Sequence, residues 1–96
     1  MIDLENKYIE FIKSVIYSVL PNIEIYIFGS RVQGVAKKYS DVDIALKSSE
    51  KIEFSDILRI KSLFEDSTFP YKVDIVNLDS VKSEFLSIIK KDMIKI

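Results

Sequence analysis

Polar residues suited to phosphoryl-transfer chemistry occur at three places in the chain, each beside or inside an apolar run. Gly29 and Ser30 directly follow the run IEIYIF, Asp41 and Asp43 flank the start of a second run, and Asp74 lies inside a third. A turn that holds phosphates, combined with carboxylates that hold divalent cations, is typical of two-metal phosphoryl-transfer sites. The pattern favours that chemistry if the fold brings the three places together.

Each feature also has an ordinary structural explanation. Glycine lets the backbone turn tightly, and backbone N–H groups at a helix start together with a serine hydroxyl can bind an anion, yet most Gly-Ser turns are structural. Asp41 and Asp43 lie two residues apart, so on a strand both carboxylates share a face and repel each other unless a hard cation bridges them. The alternative is that both simply face solvent beside lysines.

Asp74 is an acidic residue in an apolar strand, where burial is costly unless the carboxylate is paired, metal-bound or solvated. A salt bridge to Lys72 would be an equally simple explanation. The three features together are more specific than any one of them. If the strands that carry Gly29 and Asp43 pair antiparallel, the turn and the Asp-x-Asp meet at one end of the sheet, and Asp74 on an adjacent strand can join them.

Hydrophobic periodicity supplies the elements that must position these residues. It predicts helices over 3–20, 55–66 and 80–94, strands over 23–28, 41–47 and 72–78, and a short helix over 31–36 interrupted at Gly34. Ser55 is the expected N-cap of the middle helix, and Asp79 or Ser80 that of the last. The apolar stripes of these two helices are Ile57, Ile60, Leu63 and Phe64, and Val81, Phe85, Ile89 and Met93.

This order, α-β-α-β-α-β-α, predicts an α+β (α/β-like) fold with a three-stranded mixed sheet and flanking helices. The length of 96 residues predicts a single domain spanning 1–96. The N-terminus lacks the features of a signal peptide, and no apolar run approaches the roughly 20 residues of a membrane span. We therefore expect a cytoplasmic protein without membrane association.

Composition narrows the chemistry further. The chain has no Cys and no His, which excludes thiolate chemistry, a histidine base and the usual zinc ligands. Any metal must be bound by oxygen, which indicates Mg²⁺, Ca²⁺ or Mn²⁺. The net charge is −1 and no block of like charge occurs, so the electrostatic footprint of a general nucleic-acid binder is missing.

The segment FGSRVQGVAKKYSDVDIAL carries a family resemblance. Gly-Ser, ten residues, Asp-x-Asp and a third Asp in a later apolar strand resemble the nucleotidyltransferase superfamily that includes DNA polymerase beta. The short chain and the form GSRVQG…SDVDIAL are similar to minimal nucleotidyltransferases, the MNT or MntA-like proteins. The resemblance covers nearly the whole chain and implies the nucleotidyltransferase fold.

The resemblance also implies roles for particular residues. Gly29 and Ser30 would hold the triphosphate of ATP, Asp41 and Asp43 would ligate Mg²⁺, with two ions expected, and Asp74 would complete the metal site and accept the acceptor's proton. Arg31, directly after the turn, offers a fork of donors that could steady the leaving pyrophosphate. Lys37 and Lys38 are more simply explained as solvated loop residues.

The acceptor is implied by resemblance alone. MNT proteins resemble antitoxins of type VII toxin–antitoxin systems, which transfer AMP to a tyrosine of a HEPN ribonuclease toxin. This implies a cognate HEPN-type toxin and an NTP as partners. Two alternatives stay open, namely nucleotidyl transfer to a small molecule and a non-catalytic antitoxin that neutralises its partner by binding.

Overall fold

A computed structural model describes residues 1–96, and its secondary structure follows the predicted order with one added strand. The elements are α1 (Asn6–Val19), β1 (Glu24–Phe28), α2 (Ser30–Gln33), β2 (Val42–Lys47), α3 (Phe54–Glu65), β3 (Val73–Asn77), α4 (Ser83–Asp92) and β4 (Ile94–Lys95). Helix α1 ends just before Pro21, which cannot continue a helix. Helix α2 ends at Gly34, whose left-handed backbone closes it.

The sheet is mixed and has the strand order β3-β2-β1-β4. Strand β1 is antiparallel to β2 and to β4, and β2 is parallel to β3. The expectation of three strands was therefore wrong. Residue Ile94, expected at the end of the last helix, pairs with Ile27, because the chain leaves the helix at Met93 in an extended conformation. The free edge of β1 then offers backbone partners to β4.

Helices α1 and α3 cover one face of the sheet. The main core lies between them and the inward residues of the strands, because alternate strand residues point to the same face. It comprises twelve buried residues: Ile12, Ile16, Ile23, Ile25, Ile27, Val42, Ile44, Leu46, Ile52, Ile60, Phe64 and Ile75. The predicted inward set of β2, namely Val42, Ile44 and Leu46, is confirmed.

Helix α4 covers part of the opposite face with a much smaller core. Ala45, Leu78 and Ile89 are buried there, with Tyr26, Phe28, Val76, Leu86 and Met93 packed around them. The acidic residues of β2 and β3 lie on this same face but towards the other end of their strands. The small side chain of Ala45 leaves room for the helix directly on the sheet, while the carboxylates remain uncovered.

The ends and faces of two helices differ from the predictions. Helix α3 begins at Phe54, and its cap is Glu53 rather than Ser55; the backbone N–H of Glu53 donates to Asp56 Oδ2 at 3.2 Å, as in a capping box. Helix α4 is capped by Lys82, not by Asp79 or Ser80.

The predicted inward stripes of these helices were also partly wrong. Phe85 is exposed instead of inward, because Leu86 and Ile89 form the side of the helix that packs on the sheet. Leu63, also predicted inward, is exposed, while its neighbour Phe64 is buried. No helix in the structure combines the length and the apolar character that crossing a bilayer requires.

Candidate active site

The Gly29-Ser30 turn connects β1 to the short helix α2, and its backbone requires glycine. Gly29 has φ 79° and ψ −151°, a conformation that side chains with a Cβ rarely adopt. A Cβ at this position would also collide with the carboxylate of Asp43. The turn therefore lies directly against one of the predicted metal ligands, as expected for antiparallel strands.

The pairing of the strands explains how the carboxylates come to this end of the sheet. Phe28, the residue before the turn, is the register partner of Asp43 on β2, and Asp43 is the register partner of Asp74 on β3. Register partners on neighbouring strands point to the same face. The structure thus places Phe28, Asp43 and Asp74 in a row across three strands, with Gly29 directly after Phe28 and Asp41 just before β2.

The electrostatics of Asp43 reflect this crowding. Partial burial raises the pKa of the Asp43 carboxyl, and the negative charges of Asp74 and then Asp41 raise it further. Like charges that oppose one another across neighbouring strands destabilise a sheet. The site therefore maintains a concentration of negative charge that a bound cation would relieve.

The side chains of the three aspartates do not already form a compact metal-binding cluster. No group of three or more acidic side chains adopts such an arrangement in the structure. Asp41 and Asp74 are exposed, and the side chain of an exposed residue can change rotamer at little cost. Binding of a cation would require these carboxylates to turn towards Asp43.

Arg31 lies elsewhere than its expected role requires. Its side chain is only 4% exposed, and its guanidinium donates to the carbonyl of Ser40 from Nε at 3.2 Å and from Nη2 at 2.8 Å, and to the carbonyl of Asp3 from Nη1 at 2.8 Å. The guanidinium also lies 4.1 Å from the centre of the Tyr71 ring. The structure therefore does not support a phosphate contact by Arg31.

These contacts make Arg31 a link between three segments around the site. Ser40 directly precedes Asp41, and Tyr71 lies shortly before β3 and Asp74. The ring of Tyr71 is itself held by edge contacts with Tyr8 and Phe69. Sequence reasoning missed this arrangement, because no local pattern shows which carbonyls and which ring a buried arginine will meet.

The lysines of the loop between α2 and β2 remain at the surface. Lys37 and Lys38 are exposed, and the ammonium of Lys38 lies 5.4 Å from the centre of the neighbouring Tyr39 ring. This placement agrees with their interpretation as solvated loop residues.

A Gly-Ser turn that meets an Asp-x-Asp on an antiparallel strand, beside a parallel strand with a third Asp, is the arrangement expected of a nucleotidyltransferase. The chain belongs to the family described as "Polymerase beta, Nucleotidyltransferase", whose model matches residues 6–96. It is 34% identical over 90 residues to the probable protein adenylyltransferase MntA of Haemophilus influenzae, covering 94% of this chain and 79% of that relative. The resemblance to minimal nucleotidyltransferases is thereby confirmed.

Solved structures share the fold. A crystal structure of a toxin–antitoxin with AMP-PNP matches with a TM-score of 0.76 and 23% identity, covering 90% of this chain and 69% of that chain. A structure of the tri-AMPylated Shewanella oneidensis HEPN toxin in complex with MNT antitoxin matches with a TM-score of 0.68 and 21% identity, covering 90% and 66%. At these identities the matches establish the common fold.

Proposed function

We propose that this chain is a Mg²⁺-dependent protein adenylyltransferase that moves AMP from ATP to a tyrosine of a cognate HEPN-type toxin, and so acts as an antitoxin. The observation that carries the proposal is that the Gly29 turn, directly after β1, lies against Asp43 of β2, whose register partner is Asp74 of β3. The name of the Haemophilus relative and the toxin complexes among the structural matches support the choice of a protein acceptor.

The side chains around Asp43 fit a hard divalent cation. All available ligands are carboxylate oxygens, and the repulsion that raises the pKa of Asp43 is the cost that a divalent cation offsets. Asp41, Asp43 and Asp74 would hold the ions. When bound, Mg²⁺ neutralises charge on the phosphates and lowers the pKa of the attacking hydroxyl.

Residues of the chain would bind the triphosphate and accept the proton that the reaction releases. Gly29 and Ser30 would hold the triphosphate beside Asp43, because the missing Cβ at Gly29 lets a ligand approach the backbone closely. The acceptor oxygen attacks the α-phosphorus in line, its bond to phosphorus forms as the bond to pyrophosphate breaks, and AMP remains on the acceptor. Asp74 would accept the proton of the attacking hydroxyl, since the chain has no His.

The position of Asp74 suits a bulky acceptor. Strand β3 is an edge strand, and Asp74 is exposed at the margin of a hollow of about 510 Å³ that includes Lys61 and Lys72. A tyrosine presented on the surface of another protein could reach this edge without passing between elements of the domain. This openness favours a macromolecular acceptor over a small molecule, which usually needs an enclosing pocket.

The decisive experiment is co-expression with the product of the neighbouring gene, followed by intact-mass measurement of that partner. We expect the partner to gain whole AMP units with the wild-type chain and none with Asp43→Asn. Asp79→Asn, which changes an exposed carboxylate beyond the opposite end of β3, is the matched control and should leave the modification intact.

The same experiment separates the alternatives. A partner that binds both the wild type and Asp43→Asn yet gains no mass would contradict protein modification and favour neutralisation by binding alone. Turnover of ATP with a small-molecule acceptor in the absence of any partner would favour small-molecule transfer. Fragmentation of the modified partner then identifies the amino acid, and an acceptor other than tyrosine would correct that part of the proposal.

A further inference from the structure

A small hollow opens beside the Gly29 turn on the face that carries the carboxylates. Its volume is about 130 Å³, and Phe28 and Gly29 line one side of it. Phe28 is the register partner of Asp43, so the hollow begins one strand away from that carboxylate. A group bound in this hollow would lie next to a ligand bound at the Gly29-Ser30 turn.

Helix α4 forms the opposite side with apolar side chains. Phe85 and Ile88 line the hollow and are 42% and 58% exposed, although the adjacent Ile89 is buried against the sheet. Phe85 and Ile88 are three residues apart and so lie next to each other on the helix surface. A flat aromatic ligand could pack against the ring of Phe85 and the aliphatic side chain of Ile88. Proteins that bind single-stranded nucleic acids stack bases on aromatic side chains in this way, whatever the identity of the base.

A polar pair lies at the rim of the hollow. Gln33 of α2 donates from Nε2 to Asp92 Oδ2 of α4 at 2.9 Å. This bond uses one donor of the Gln33 amide and leaves its carbonyl oxygen and its second N–H free. A carboxamide with a free donor and a free acceptor can pair with the edge of a purine.

We propose that this hollow seats the base of the nucleotide, with Phe85 and Ile88 packing on its face and Gln33 at its edge. The proposal rests on the proposed function, because it takes the Gly29-Ser30 turn as the holder of the triphosphate. A base is joined to the α-phosphate by one ribose and must therefore lie close to Asp43, and the hollow adjoins Asp43 through Phe28 and Gly29. A larger apolar segment of a partner would not fit its size.

The test measures the affinity of the full chain for two ligands, MgATP and inorganic tripolyphosphate with Mg²⁺. Both carry three phosphates, but only MgATP carries a base. For the double variant F85S/I88S, we expect the affinity for MgATP to fall by about tenfold or more, as stacking contacts are lost. The affinity for tripolyphosphate should stay within about twofold, because its contacts with the turn are unchanged. Gln33→Ala should reduce the preference between ATP and GTP.

The matched control is Leu58→Ser, which removes an apolar side chain that is 51% exposed on α3, the helix on the other face of the sheet. It should bind both ligands like the wild type. Circular dichroism and thermal melting confirm that each variant is folded, which is expected since the altered side chains are at the surface.

Three outcomes would overturn the proposal. Equal loss of both ligands in F85S/I88S would show that the hollow supports the phosphate site and does not hold the base. Unchanged affinity for MgATP together with lost modification of the partner would assign the hollow to the acceptor. Binding of neither ligand by the wild-type chain would refute the proposed function itself, and the base site with it.

Discussion

The aspartates of the candidate site carry a cost in the stability of the fold. Asp43 lies on a partly buried strand position and faces the charges of Asp74 and Asp41, which together with burial raise its pKa. Nothing in the structure donates a hydrogen bond to its carboxylate. The charge is therefore unfavourable for folding in the absence of a cation, and the proposed metal site gives a reason for its presence.

Replacing Asp43 by Asn should accordingly stabilise the protein in the absence of divalent cations. The raised pKa means that the ionised form is less favourable in the folded state than in the unfolded state, so removing the charge at neutral pH removes that cost. We expect a higher midpoint of thermal unfolding for Asp43→Asn than for wild type in a buffer with a chelator. Asp79→Asn is the control, and an equal or lower midpoint for Asp43→Asn would contradict the prediction.

The two glycines provide a matched pair for the turn. Both have positive φ, 79° at Gly29 and 78° at Gly34, but a Cβ at Gly29 would meet Asp43, while one at Gly34 would meet nothing within 4 Å. Gly34→Ala should cost about 1–2 kcal/mol for its left-handed backbone and leave transfer activity unchanged. Gly29→Ala should in addition displace Asp43 and lower activity by about 100-fold.

Activity and stability are measured separately for this pair, by initial rates of AMP transfer and by urea denaturation. If Gly34→Ala lowered the rate as much as Gly29→Ala, the contact between the turn and Asp43 would not be the reason for the glycine. Because ψ is −151° at Gly29 and 18° at Gly34, the backbone cost differs between the two positions, and the rate rather than the stability reports on the contact with Asp43.

Among the elements, Arg31 connects segments that approach the site from different parts of the chain. Its guanidinium bonds to backbone carbonyls before α1 and before β2 and packs on Tyr71 before β3. The backbone completes the first link, because the N–H of Asp3 donates to the carbonyl of Arg31 at 2.7 Å. Arg31 therefore ties together the segments that precede Asp41 and Asp74.

We predict that Arg31→Met costs about 1–3 kcal/mol for the Ser40 carbonyl that it leaves unpaired, and less for the carbonyl of the exposed Asp3, which water can reach. Arg31→Lys keeps the charge but loses the fork of donors, so it should recover only part of this stability. Urea denaturation measures both variants, with Lys38→Met in the same connection as an exposed control. Unchanged stability of Arg31→Met together with a loss of tripolyphosphate affinity would instead restore the phosphate role predicted from the sequence.

At the scale of the whole molecule, the two faces of the sheet are unequally packed. The core under α1 and α3 contains twelve buried residues, whereas the core under α4 contains three. Stability within a fold follows buried apolar contact, so the side with the smaller core opens at lower free energy. We therefore expect α4, on the face with the candidate site, to open more readily than α1.

Amide hydrogen exchange followed by mass spectrometry tests this inequality. Peptides from α4 should exchange faster than peptides from α1, β1 and β2 under native conditions, because α4 can detach while the larger core persists. If peptides from α4 exchanged at the same rate as peptides from α1, the domain would open as one unit and the prediction would be wrong. If the hollow beside Gly29 holds the base, MgATP should slow exchange in α4 more than tripolyphosphate does.

Much of this protein is determined by local sequence patterns. The helical period of α1 and α3, the alternation in β2 and the turn at Gly29-Ser30 each depend on neighbouring residues, so the order of the first six elements and the acidic positions could be predicted. The weakly periodic end of the chain could not: α4 is shorter than predicted, Phe85 faces solvent, and a two-residue strand follows.

Only the tertiary structure decided which distant groups meet. The pairing of β1 with β4, the carbonyls that Arg31 binds and the hollow between α2 and α4 all join residues far apart in the chain. Such contacts depend on how the layers pack and on which backbone groups are left unpaired at an edge, and no residue pattern records either. Local residue patterns identify the side chains that could do the chemistry, and the packing of the sheet brings Asp43, Asp74 and the Gly29 turn together.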